Sequence, residues 1–159
     1  MFTNLETYQS RFWLKEEFLK KIGKSSSGFL LELFSRVDAL VDQDLVYYDH
    51  QMDMETCFEK YSFHEFKWHQ TPNGDMEWIF MLNRQGYLVD LAVAFYITKE
   101  EKYLKKWKEI VFDFILENEK EISHPEASWR VLDAGIRLMN WVKSLTYLPL
   151  SKFSEVERK

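Results

Sequence analysis

Residues 75–97 read DMEWIFMLNRQGYLVDLAVAFYI. Wound as a helix, this run is apolar around most of its circumference, from Trp78 through Leu82 and from Leu88 through Tyr96. Such a helix is buried on several sides, so the spacing predicts one buried helix over 75–97. Thr98-Lys99-Glu100-Glu101 then fits a capping box. Beyond it Tyr103, Leu104, Trp107, Ile110, Val111, Phe114 and Ile115 form one apolar stripe. Lys102, Lys105, Lys106, Lys108, Glu109 and Asp113 stand on the other face, as expected of a surface helix. A further mostly apolar helix is predicted from Pro125 or Ser128 to Leu148, ended by Pro149 and followed by a charged tail from Ser151. A buried, an amphipathic and another buried helix in succession predict antiparallel helices in inner and outer layers. The expected fold class is all-α. No repeat of about 34 or 40 residues is present, which argues against tetratricopeptide and HEAT arrays.

Upstream, helical spacing predicts a helix from Leu5 to Ile22, with Gly23 as its stop, and a second from Ser27 to Val41 carrying Leu30, Leu33, Phe34, Val37, Leu40 and Val41 on one stripe. Residues 44–75 have no sustained period, apart from a short extended piece at Asp44–His50. Their aromatic rings and three histidines argue for an ordered, functional connection rather than disorder. The expected organisation is a helical hairpin over 1–43, an aromatic loop over 44–75 and layered helices over 76–159, within one domain.

Composition narrows the function. The 159 residues suit one domain. Aromatic residues make up 17%, while five Gly and three Pro are too few for a turn-rich β-sandwich. A net charge of −5 argues against nucleic acid as a partner. No run approaches the ~18 apolar residues of a membrane span. A lone cysteine, Cys57, rules out an internal disulfide framework and has no base beside it to activate it. The N-terminal MFTNLETYQSRFW is polar and shows no signal peptide, which places the protein in the cytoplasm if Met1 is the native start.

Buried helices carry few polar residues, so the exceptions matter. Arg130, Asp133, Arg137, Asn140 and Ser144 recur at three and four residues and form one polar line. Asn83, Tyr87 and Asp90 form another, with Arg84 beside it. Two readings stay open. The lines face solvent, with ordinary i,i+3 and i,i+4 ion pairs, or they line a groove in which Arg forks and aromatic faces hold an acidic sugar. Arg84 has a further structural reading, as a tie between the loop and its helix. The histidines match no strong zinc spacing, and ordinary loop hydrogen bonding is expected of them. No metal or cofactor is expected.

Three segments, taken together, resemble the N-terminal domain of the heparinase II/III family of polysaccharide lyases. The first is Tyr47-Tyr48-Asp49-His50-Gln51-Met52-Asp53-Met54-Glu55, similar to the family's aromatic and acidic DME segment. The second is Phe66-Lys67-Trp68-His69 followed by Glu77-Trp78 through Asn83-Arg84, continuing to Thr98-Lys99-Glu100-Glu101-Lys102-Tyr103, where Lys99 replaces the usual Gly. The third is Ser128-Trp129-Arg130 through Arg137. The resemblance implies an incomplete α/α toroid that packs against a C-terminal β-sandwich region of the same protein. It implies β-elimination of uronate-containing glycans such as heparan sulfate, thus glycosaminoglycan degradation by an enzyme commonly periplasmic or secreted.

It also implies catalytic residues downstream of the Trp-Arg helix, on a GNH-containing segment and beyond. The sequence contains no GNH, so no catalytic residue is assigned and the chain alone is expected to be inactive. Cleft lining is what transfers: Asn83, Arg84, Trp129, Arg130 and Arg137, with Trp68, His69 and Asn140 added by location. The expected partner is an acidic polysaccharide or oligosaccharide. The alternatives are a non-catalytic acidic-carbohydrate-binding domain and a helical protein-interaction domain.

Overall fold

A computed structural model describes residues 17, 27–46, 61–62, 68–119 and 126–158. The predicted Leu5–Ile22 helix, Cys57 and the tyrosine-histidine segment at 47–50 lie outside the described residues, Glu17 apart. The rest is mainly α-helical, as expected. Helix α1 spans Ser27–Gln43. Its Leu33, Val37 and Leu40 are buried, each contributing about 1.5–3 kcal/mol relative to exposure. Its polar edge is tied across the fold: Arg36 donates to Asp90 at 3.0 Å, and Lys102 and Tyr103 both donate to Asp38 at 2.8 Å.

Strands β1 (Leu45–Val46) and β2 (Tyr61–Ser62) pair antiparallel, Leu45 against Ser62 and Val46 against Tyr61. This pairing closes the base of the long excursion. Tyr61 meets Trp78 edge to face at 5.5 Å, which anchors the excursion on the next helix. Before that helix the chain turns at Gly74, whose φ of 80° suits glycine. The Asp75 carboxylate then accepts from the Glu77 amide as an N-cap.

The single helix expected over 75–97 is two. Helix α2 spans Met76–Arg84 and helix α3 spans Tyr87–Thr98. The break falls at Gln85, in the left-handed region with φ 53°, followed by Gly86. The break persists because Gln85 is buried and its side-chain carbonyl accepts from the Trp141 indole at 2.5 Å. Helix α3 is apolar around most of its surface, Asp90 apart, with Leu88, Leu91, Ala92 and Ala94 wholly buried. It lies at the centre, packed against α1, α4 (Glu101–Glu119) and α5 (Val131–Leu145), while α2 packs on α5.

Three other expectations change. The Thr98 hydroxyl accepts from the Glu100 amide and donates to the Ala94 carbonyl. It therefore joins α3 to α4 instead of forming a capping box. Lys106 is buried between Asp44 and Glu109, not on the solvent face. The charged tail docks: Leu150 and Phe153 are buried, and Phe153 meets Trp107 edge to face at 5.7 Å. No helix among the described residues is long and apolar enough to cross a membrane.

Candidate functional site

Helix α5 is turned the opposite way from its hydrophobicity. Asp133, Arg137 and Ser144 are buried, whereas Val131, Leu132, Leu138, Met139 and Val142 are exposed. The polar line therefore faces the core, and the expectation that the apolar residues of this helix are buried is corrected. Polar contacts make this possible. One terminal nitrogen of Arg137 donates to the carbonyls of Asn83 (3.0 Å) and Ser128 (2.8 Å). Its guanidinium lies 4.3 Å from the Phe114 ring centre and 5.1 Å from that of Trp129. Ser144 accepts from the Trp107 indole at 3.0 Å. Burial lowers the Arg137 pKa to about 10, opposed by the Tyr87 and Asp133 oxygens, so the group stays charged at neutral pH.

Around Arg137 lies a frame of buried polar and aromatic groups. The Asn83 amide donates to the carbonyls of Trp68 (2.7 Å) and Ile79 (3.0 Å). Trp68 donates to Asp113 at 2.9 Å and meets Phe114 edge to face at 5.0 Å. Asn140 donates to the Arg84 carbonyl at 2.8 Å. His69 is half-buried in the turn after Trp68. Thus Trp68, Asn83, Asn140 and Arg137 are brought together; Asn83, Asn140 and Arg137 donate to backbone carbonyls, whereas Trp68 donates to exposed Asp113.

Arg84 and Arg130 differ. They arrive from the end of α2 and the N-cap of α5 and converge on one carboxylate. Arg84 Nε donates to Asp133 Oδ1 at 2.7 Å, and Arg130 Nε lies 2.7 Å from Asp133 Oδ2 as an ion pair. Asp133 has no exposed side-chain surface, whereas Arg84 keeps 19% and Arg130 35%. The carboxylate sits in the first turn of α5, where the helix dipole favours negative charge. The Arg130 guanidinium stacks 3.7 Å from the Phe80 ring centre. Two cations on one anion leave a net positive edge at the surface, next to aromatic rings. That arrangement suits a sugar bearing a carboxylate or sulfate.

The family model described as Heparinase II/III N-terminus matches residues 24–156. The chain belongs to that family. No curated protein and no solved structure matches the chain. The heparinase II/III N-terminal domain is thus a helical, polysaccharide-lyase-related unit, and the Arg84–Asp133–Arg130 cluster is its most exposed convergence of the residues singled out from the sequence. Phe80 was not among those residues, whereas Asp133 stood in the polar line, and its i,i+3 pairing with Arg130 is the ordinary ion pair that the spacing allowed. Helical spacing places Asp133 three residues after Arg130, but Phe80 meets Arg130 from a different helix, a contact that spacing along the chain does not reveal. Trp129 is half-buried, and its indole N–H has no hydrogen-bond partner among the described residues. Those residues also contain no group of three His, Cys, Asp or Glu placed to hold a metal ion.

Proposed function

We propose that this domain supplies part of the substrate cleft of a lyase acting on uronate-containing polysaccharides of the heparan-sulfate type. The observation that carries the reading is the pair Arg84 and Arg130, both held on buried Asp133 while their side chains stay partly exposed. β-Elimination needs the uronate carboxylate neutralised, the C5 proton removed and the leaving oxygen protonated. In this reading the domain's arginines bind acidic groups of the glycan, Phe80 and Trp129 supply aromatic surface, and Trp68, Asn83, Asn140 and Arg137 form the frame beneath. The groups that move protons belong to another part of the enzyme. The central position of α3 and the outward apolar stripe of α5 support a toroid in which further helices, or a β-sandwich region, cover α5.

The test measures binding and turnover together. The 159-residue chain is expected to bind a heparan-sulfate oligosaccharide in a salt-sensitive manner, and the Arg84→Ala, Arg130→Ala double variant to lose that binding. No rise in unsaturated-uronate absorbance is expected from the chain alone. Unchanged binding by the double variant would overturn the lining role. Turnover by the chain alone would overturn the placement of the catalytic groups elsewhere. A second reading, a helical protein-interaction module, is favoured by the exposed stripe of α5. It predicts no glycan binding at all.

A further inference from the structure

A second groove lies at the opposite end of α5. It is an open groove of about 490 Å³ between the end of α3, the start of α4 and the segment after α5, and is lined by Tyr96, Lys99, Glu101, Tyr147, Pro149 and Lys152 among others. That volume falls among pockets that hold small organic ligands, about 300–1,000 Å³. Helix α5 separates it from Arg130 by its 15 residues, roughly 22 Å at 1.5 Å per residue. We propose that this groove binds an anionic sugar residue, independently of the Arg84–Arg130 edge.

Three observations carry the assignment. First, Tyr96 and Tyr147 meet edge to face at 5.9 Å and 69°, so the two rings form an aromatic corner. Rings of this kind offer apolar surface to a sugar and a hydroxyl to its oxygens. Burial pushes the Tyr147 pKa upward, assisted by Tyr96, so its hydroxyl remains a donor at neutral pH.

Second, Lys99 holds a left-handed backbone conformation, φ 64°, at the C-cap of α3. Glycine is the favoured residue there, and a lysine at that position carries a conformational cost. Its ammonium rests 4.1 Å from the Tyr96 ring centre, which puts a cation at the aromatic corner. Local strain of this kind is often retained at ligand sites.

Third, the charge is positive. Lys152 pairs with Glu101 at 2.5 Å, and Lys99 adds a further cation. An acidic unit with a ring to stack satisfies both halves of the groove, whereas a neutral sugar satisfies only the rings. The proposal rests on the acidic-glycan reading of the domain but not on the arginine pair.

The experiment titrates the full chain with a heparan-sulfate tetrasaccharide and with a neutral tetrasaccharide, followed by NMR at the Lys99 and Tyr147 signals. The variants are Lys99→Gly and Arg84→Ala, Arg130→Ala. Lys99→Gly relieves the backbone and removes the cation, so its Tm is expected to hold or rise while the acidic glycan binds the groove roughly five- to tenfold more weakly. The arginine variant is expected to leave the groove signals responsive. Equal response to the neutral glycan, unchanged groove affinity in Lys99→Gly, or loss of the groove response in the arginine variant would each overturn the proposal. Groove binding that survives alongside unchanged affinity at the arginine edge would sink the arginine reading instead.

Discussion

Arg84 on α2 and Asp133 on α5 meet at 2.7 Å, with the carboxylate wholly withdrawn from solvent. The second oxygen of Asp133 faces Arg130. Removing the carboxylate would leave two partly buried cations against each other. Asp133→Ala is therefore expected to destabilise the domain by about 3 kcal/mol, read as a shift in the urea midpoint. Arg130→Ala is expected to cost much less, because Arg130 is the most exposed member and Arg84 still pairs with Asp133. Equal losses in the two variants would show that the ion pairs are not what holds α2 on α5.

Arg137 tests whether a stacked, forked cation is needed beneath the site. It reaches two carbonyls while lying over Phe114 and Trp129. A lysine keeps the charge but lacks the planar fork. Arg137→Lys is expected to lose about 2 kcal/mol, a Tm fall of roughly 4–8 °C for a chain of this size. A Tm within one degree of the unmodified chain would mean that the fork contributes nothing beyond its charge.

The α1 and α4 stripes were legible because a helix packed on one side writes its burial directly into a 3.6-residue period. The α2–α3 break was not. Gln85 is an ordinary helix former, and its left-handed turn depends on a distant partner, the Trp141 indole. For α5 the period showed two faces correctly but did not tell which faces inward. That choice depends on acceptors elsewhere in the fold, the Asn83 and Ser128 carbonyls, which draw Arg137 inward and leave Leu138 exposed. The same dependence explains the site. Arg84 and Arg130 stood out as polar residues on apolar helices, but that Asp133 holds both is a tertiary fact.

Acid should loosen the docked C-terminal segment before it unfolds the domain. Glu157 Oε2 accepts from the Ser154 amide at 2.6 Å, and its carboxylate lies 3.0 Å from Lys108. The Ser154 amide, and after it Lys108, hold the Glu157 pKa at about 2 against an ordinary 4.5. The folded form thus binds its proton less readily than the unfolded one. Its contribution is complete above pH 4.5 and disappears as the pH falls towards 2. Because the group is near the surface, the effect is local. Protection factors of the amides at 154–158, corrected for the intrinsic pH dependence of exchange, should fall across that window, and those of Glu157→Gln should be low at every pH. A flat profile in the unmodified chain would remove the carboxylate from the account.

The exposed stripe of α5 offers the sharpest check on how the helix is turned. If Leu132, Leu138 and Met139 face outward, polar replacements there touch no core. Leu138→Gln is expected to change stability by no more than about 0.5 kcal/mol, whereas a buried leucine such as Leu91, replaced by alanine, should cost about 2–5 kcal/mol. Because contiguous apolar surface promotes association, the Leu132→Gln, Leu138→Gln double variant should also reduce self-association of the isolated chain in light scattering. A large loss of stability at Leu138, comparable to that at Leu91, would mean that α5 buries its apolar face. Arg137 would then have to point to solvent, and the frame beneath the arginine edge would not exist.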